Sequence, residues 1–130
     1  MKKITLLLVI IFTFLFSTTS WGDWSYVTGS VDGNKFYYDK DRVRKNGKYI
    51  YFWELLDYVK PSQYGDLSLT TYTELDCSIF RFKILKILSY NKSMGEGEMI
   101  NDFAPKDEWK YPPPNTLIEF MYNKICEEHQ

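Results

Sequence analysis

From Asp23 onward the chain alternates apolar and polar positions in short runs separated by Gly, Asn, Asp and Pro. Asp23–Thr28 places Trp24, Tyr26 and Thr28 on one side by period two, the signature of a strand. Gly29–Asn34 is turn chemistry, with Asp32-Gly33 its strongest signal. Lys35–Asp39 reads as a second strand, and Asp41–Arg44 is expected to continue it after a kink or bulge. Asn46-Gly47, between Arg42–Lys45 and Lys48–Tyr51, predicts a hairpin with a type I′ turn. Lys48–Tyr58 is the long strand that follows. Tyr49, Tyr51 and Trp53 take one face and Ile50 and Phe52 the other, so both faces are apolar and the strand is central. Lys60–Asp66 is a loop, Leu67–Asp76 the next strand, and Ser78–Tyr90 another. Its Phe80, Phe82 and Ile84 alternate with Arg81 and Lys83, and its β-branched and aromatic content favours a strand over a helix. After the Asn91–Gly97 loop, Glu98–Phe103 forms a short last strand.

The period then changes. Pro112-Pro113-Pro114 can continue neither a ladder nor a helix and makes an extended spacer. Beyond it, Leu117, Met121 and Ile125 recur at spacing four, with Ile118, Tyr122 and Cys126 beside them. Thr116 and Glu119 stand at capping-box spacing. This predicts one amphipathic C-terminal helix, Leu117–Glu127. The expected class is α+β: an antiparallel sheet of about five to six strands with the helix packed on one face. No repeat or second domain is visible.

The N-terminus alters the picture. Lys2 and Lys3 precede thirteen uncharged residues, Ile4–Phe16. That run is shorter than the roughly 20 residues a spanning helix needs. Ser20 and Gly22 form the small pair of a signal-peptidase site. Residues 1–22 are therefore expected to be a signal peptide cut between Gly22 and Asp23. The exported domain is then 23–130, with no membrane span after signal removal. A lipoprotein needs a cysteine just after the apolar run, and none stands there. A periplasmic, secreted or cell-surface chain without that anchor is expected.

Charge and cysteines narrow the function. The chain has 16 basic and 17 acidic residues, and the signal removes two of the former. Nucleic-acid binding, which needs a basic surface, is disfavoured. Tyr, Phe and Trp make 18 % of the chain, expected mainly as core and sheet facing. Cys77 and Cys126 have one intramolecular pairing open to them, and export delivers them to an oxidising compartment. A disulfide between them would tie the helix to the end of a strand.

Catalytic chemistry is sparse. Asp39 and Asp41, or Glu54 and Asp57, are carboxylates without a partner of defined role. The single histidine, His129, sits in a tail expected to fray, so serine or thiol catalysis lacks its base. No metal or cofactor is predicted, and the chain is read as a non-enzymatic protein.

Several features fall in an order that resembles a known family. They are the early Trp24, Tyr37-Tyr38-Asp39, the basic hairpin, and Tyr51-Phe52-Trp53 leading to Leu56-Asp57-Tyr58. Asp76-Cys77 with Arg81, then Trp109, the prolines and a helix carrying Cys126, complete the series. The set resembles the surface-adhesin protein E family of Gram-negative bacteria. The resemblance implies a sheet with a C-terminal helix fastened by the Cys77–Cys126 disulfide. It also implies binding of host matrix or serum proteins such as laminin, vitronectin or plasminogen. The competing expectation is a periplasmic interaction, inhibitor or stress protein with a bacterial or attacking-enzyme partner. An exposed edge strand leaves homodimerisation open.

Overall fold

The computed structural model describes residues 23–130, so the predicted leader and the Gly22 side of its cleavage site lie outside the described residues. Seven strands form one antiparallel sheet. They are β1 (Ser25–Gly29), β2 (Lys35–Tyr38), β3 (Arg44–Asn46), β4 (Tyr49–Asp57), β5 (Ser68–Asp76), β6 (Arg81–Tyr90) and β7 (Met99–Phe103). Their order across the sheet is β1-β2-β4-β5-β6-β7, with β3 also on β4 beside β2. Among the described residues a single α-helix, α1 (Leu117–His129), closes one face. The class and the central place of β4 agree with the pattern of apolar positions.

Where strands differ from expectation, a local geometry explains it. A 3₁₀ turn at Lys40–Arg42 interrupts the predicted continuation of β2. The chain then pairs with β4 as the separate strand β3, which raises the strand number. Asn46 pairs with Tyr49, so the hairpin turn is Gly47-Lys48, one position later than predicted. Gly47 has φ +63°, and Lys48 is not left-handed. One positive φ, at a leading glycine, fits a type II′ turn rather than I′. A bulge at Val27 sets Tyr26 beside Tyr37 but Thr28 beside Phe36, so Tyr26 and Thr28 do not share a face. β6 starts at Arg81 rather than Ser78, because Cys77–Phe80 make a turn in which Phe80 adopts φ +51°.

The core lies between the sheet and α1. Ile50, Phe52, Leu75 and Phe82 from the sheet bury against Met121, Tyr122, Ile125 and Cys126 of the helix. The Tyr122 ring meets Phe82 and Phe52 edge-on, at centroid distances of 5.1 and 5.8 Å. Such pairs add to the stabilisation from burial itself. Thr116 caps the helix by accepting from the Glu119 N–H. Glu119 reaches back to the Asn115 N–H, one residue earlier than a full capping box would place it. Cys77 and Cys126 are bonded, with their Cα atoms 5.8 Å apart. The disulfide joins the end of β5 to the last turns of α1.

Candidate functional site

The sheet has two unlike faces, and the difference arises from register. Residues opposite one another in an antiparallel pair point to the same side. Ile50, Phe52 and Glu54 of β4 therefore share the helix side with Leu75, Thr73 and Thr71 of β5. Tyr49, Tyr51 and Trp53 share the other side with Asp76, Glu74 and Tyr72. No α-helix covers that second side among the described residues, though a 3₁₀ turn at Ser93–Gly95 packs on one end of it over Leu55 and Thr70. From β6 it receives Arg81, Lys83 and Lys86, and from β3 Arg44.

These aromatics associate in two groups. Tyr72 lies against Trp53 at 5.0 Å and stacks on Tyr51 at 6.2 Å. Tyr51 donates its phenol proton to Glu74, and this bond with burial pushes the phenol up to about 12. Trp109 arrives from the segment after β7. The Lys110 N–H and C=O bond Phe82 of β6 at 2.8 Å each, which swings Trp109 onto Tyr49 at 5.6 Å. The Arg81 guanidinium lies 4.2 Å and the Lys83 ammonium 4.6 Å from the indole centroid. Each cation over an aromatic face contributes about 0.5–1 kcal/mol at an exposed site. The result is a face of half-covered Tyr and Trp rings interleaved with cations.

Asp76 anchors this end of the face and is fully buried. Burial alone raises its carboxyl. Donation from the Ser78 hydroxyl at 2.6 Å and from Arg81 at 3.2 Å outweighs it, with Lys48 3.9 Å away, so the net displacement is downward. Asp76 thereby fixes Arg81 beneath Trp109 and shapes the turn holding Cys77.

The predicted acids serve the fold. Asp39 is buried and paired with Arg42 at 3.4 Å, and Asp57 accepts from the Met94 N–H at 2.9 Å. Asp41 is exposed in the 3₁₀ turn. The structure does not unite these carboxylates in one cleft. His129 corrects the expectation of a frayed tail. It belongs to the last turn of α1, its Nε2 lies 3.1 Å from the Tyr38 hydroxyl, and Tyr38 also donates to Glu128. Among the described residues no cluster of His, Cys, Asp and Glu could hold a metal.

Glu54 is the acid the sequence did not distinguish. It faces the helix with no cation against it, accepting from Tyr122 at 2.9 Å and Thr73 at 3.3 Å. Burial pushes its carboxyl from 4.5 up to about 7, although both hydroxyls pull the other way. The folded chain thus keeps this proton where the unfolded chain has released it. Stability should fall as pH rises from 4.5 to 7, by about 3 kcal/mol at most, and stay low above. Glu54→Gln is expected to flatten this slope and to stabilise the chain above pH 7. Urea midpoints of both proteins across that window measure it, and an unchanged slope in the variant would assign the dependence elsewhere.

Comparisons with known proteins agree with this architecture. Two solved structures of Haemophilus influenzae protein E superpose with TM-scores of 0.60 and 0.61, each at 18 % identity. The first covers 87 % of this chain and 89 % of its own, and the second 87 % and 93 %. A third, titled as protein E from non-typeable Haemophilus influenzae, gives 0.56 at 18 % identity, covering 85 % and 79 %. At such identity these likenesses speak to the fold. No curated protein matches the chain by sequence. The family profile described as Surface-adhesin protein E matches residues 24–127, spanning every strand and nearly all of α1. The chain therefore belongs to the surface-adhesin protein E family.

Proposed function

We propose that this chain is an exported, non-enzymatic binding protein that attaches to a protein partner through the helix-free face. The observation that carries the reading is the stack of Tyr49, Trp109, Arg81 and Lys83. Binding hot spots are enriched in Trp, Tyr and Arg, and here these side chains are prearranged by a buried carboxylate and a backbone bridge. Rings held in place lose little freedom when a partner lands on them. Family membership supports an adhesin role. The partners proposed are host matrix or serum proteins: laminin, vitronectin or plasminogen. Export would follow cleavage between Gly22 and Asp23. Both cysteines are spent in the disulfide, which supports a form without an N-terminal lipid.

Surface plasmon resonance of the disulfide-bonded mature chain over the three proteins tests this directly. Saturable binding to at least one is expected. Trp109→Ala should weaken it about 30-fold, the ratio expected for a hot-spot residue worth about 2 kcal/mol. Absence of saturable binding to all three removes the host-protein reading. A form without an N-terminal lipid would favour a second reading, a periplasmic partner, which crosslinking within the envelope would reveal. Self-association through the exposed edge strand β7 belongs to the same test, since it would appear as a concentration-dependent mass.

A further inference from the structure

A groove of about 660 Å³ opens on the helix side of the sheet, beyond the end that α1 covers. Its floor is Leu69 of β5 with Ile87 and Ser89 of β6. These share the helix side by register, since Leu69 pairs with Ser89 and Ile87 with Phe103. One wall is Phe103 of β7 and the other is the loop carrying Tyr64. Both rings project into solvent, with exposures of 51 % and 76 %.

Two observations point to a ligand. Two exposed aromatic rings lining one groove, over an apolar floor, form a patch rather than scattered single residues, and such patches mark contact sites. Beneath them, Ser89 is 5 % exposed and its hydroxyl has no hydrogen-bond partner. Buried polar groups are ordinarily satisfied, so an unspent hydroxyl on the floor needs an explanation. The remaining lining chemistry specifies what could fit. Asn101, Gln63 and Asp66 supply amide and carboxylate groups, with no lysine or arginine among the described lining residues. An anionic ligand would find no countercharge there. A purely apolar ligand would leave these polar groups unpaired. Flat rings with amide, carboxylate and hydroxyl groups between them match a pyranose, whose C–H face lies on a ring while its hydroxyls donate and accept around the edge. An extended peptide is less suited. It would pair with the free edge of β7, whose backbone groups point within the sheet plane and away from the groove.

We propose that this groove is a second binding site, taking a neutral oligosaccharide. It is independent of the helix-free face and lies on the opposite side of the sheet. The test is a titration of isotope-labelled, disulfide-bonded chain with chitotriose and maltotriose, followed by NMR shifts. A heparin-derived disaccharide and a short extended peptide serve as contrasts. At least one neutral sugar should give saturable shifts at residues 62–66, 87–89 and 101–103. Tyr64→Ala and Phe103→Ala should each weaken that response about tenfold, as expected for exposed anchor rings whose loss spares the core. Trp109→Ala should leave it unchanged. No shift with either neutral sugar, shifts with the peptide or the anionic sugar alone, or sugar binding that survives both ring deletions would overturn the proposal.

Discussion

Reduction of the Cys77–Cys126 disulfide is expected to lower the stability of the folded chain by about 4 kcal/mol. The bond closes a loop of 49 positions, and a cross-link of that span removes much of the freedom of the unfolded chain. A domain of this size has roughly 5–15 kcal/mol in all, so the loss is a large fraction of the total. The structure also says where the loss falls. α1 has 13 residues, too few for a stable helix alone in water, and it is fixed by one buried stripe and by Cys126 near its end. The ladders of β4, β5 and β6 are long and do not depend on the helix for their hydrogen bonds. Urea denaturation with and without reductant measures the size. Hydrogen exchange measures the order: α1 should lose protection first, with the sheet largely retained. Equal loss in β5 and α1 would contradict the idea that the bond acts as a staple for the helix.

Tyr122→Ala is expected to cost a similar amount, about 3–5 kcal/mol, the range for deleting a large buried aromatic. Tyr122 is 1 % exposed, and its ring is the shared neighbour of Phe52 and Phe82. Removing it opens a cavity at the centre of the helix–sheet seam, and a short helix cannot close that gap without losing Met121 and Ile125 contacts. Tyr122→Phe isolates the hydroxyl. It keeps the ring but leaves Glu54 with Thr73 as its remaining hydroxyl donor, at 3.3 Å. The expected cost is about 1.5–3 kcal/mol above pH 7, where Glu54 is ionised, the range for a hydrogen bond to a charged group. It should shrink at acid pH, where Glu54 is protonated. Denaturant midpoints of the two variants separate packing from hydrogen bonding. Equal costs would mean that the ring contributes little and the seam is looser than its geometry indicates.

Much of the fold could be read from the sequence because its signals are local. The alternation from Tyr49 to Trp53 marks a central strand without reference to any neighbour. The spacing of Met121, Ile125, Tyr122 and Cys126 marks the buried stripe, and Thr116 marks its start. Cysteine parity in a chain expected to be exported leaves one bond to predict. What could not be read depends on distant partners. The bulge at Val27 is fixed by pairing with Phe36 and Tyr37, so strict period two misplaced Thr28. The short β3 exists because Arg44 and Asn46 find Tyr51 and Tyr49 across the turn. Trp109 carried no sign that it would return to Tyr49, since that contact spans 60 positions and needs the Lys110–Phe82 bridge. His129 looked like tail until Tyr38 appeared beside it. Glu54 resembled any other acid in a strand, because its burial is caused by a helix 68 positions away. The basic residues Arg81 and Lys83 were legible as the polar half of an alternating strand. Their placement over an indole was not, and it is this placement that gives the helix-free face its character.

The helix-free face can be tested by hydroxyl-radical footprinting of the chain alone and in complex with the host protein it binds best. Trp53, Tyr72 and Trp109 should become protected, while Phe120 on the outer side of α1 and Tyr64 at the groove keep their reactivity. Protection at Phe120 or along β7, with Trp53 and Trp109 unchanged, would contradict the assignment of binding to this face.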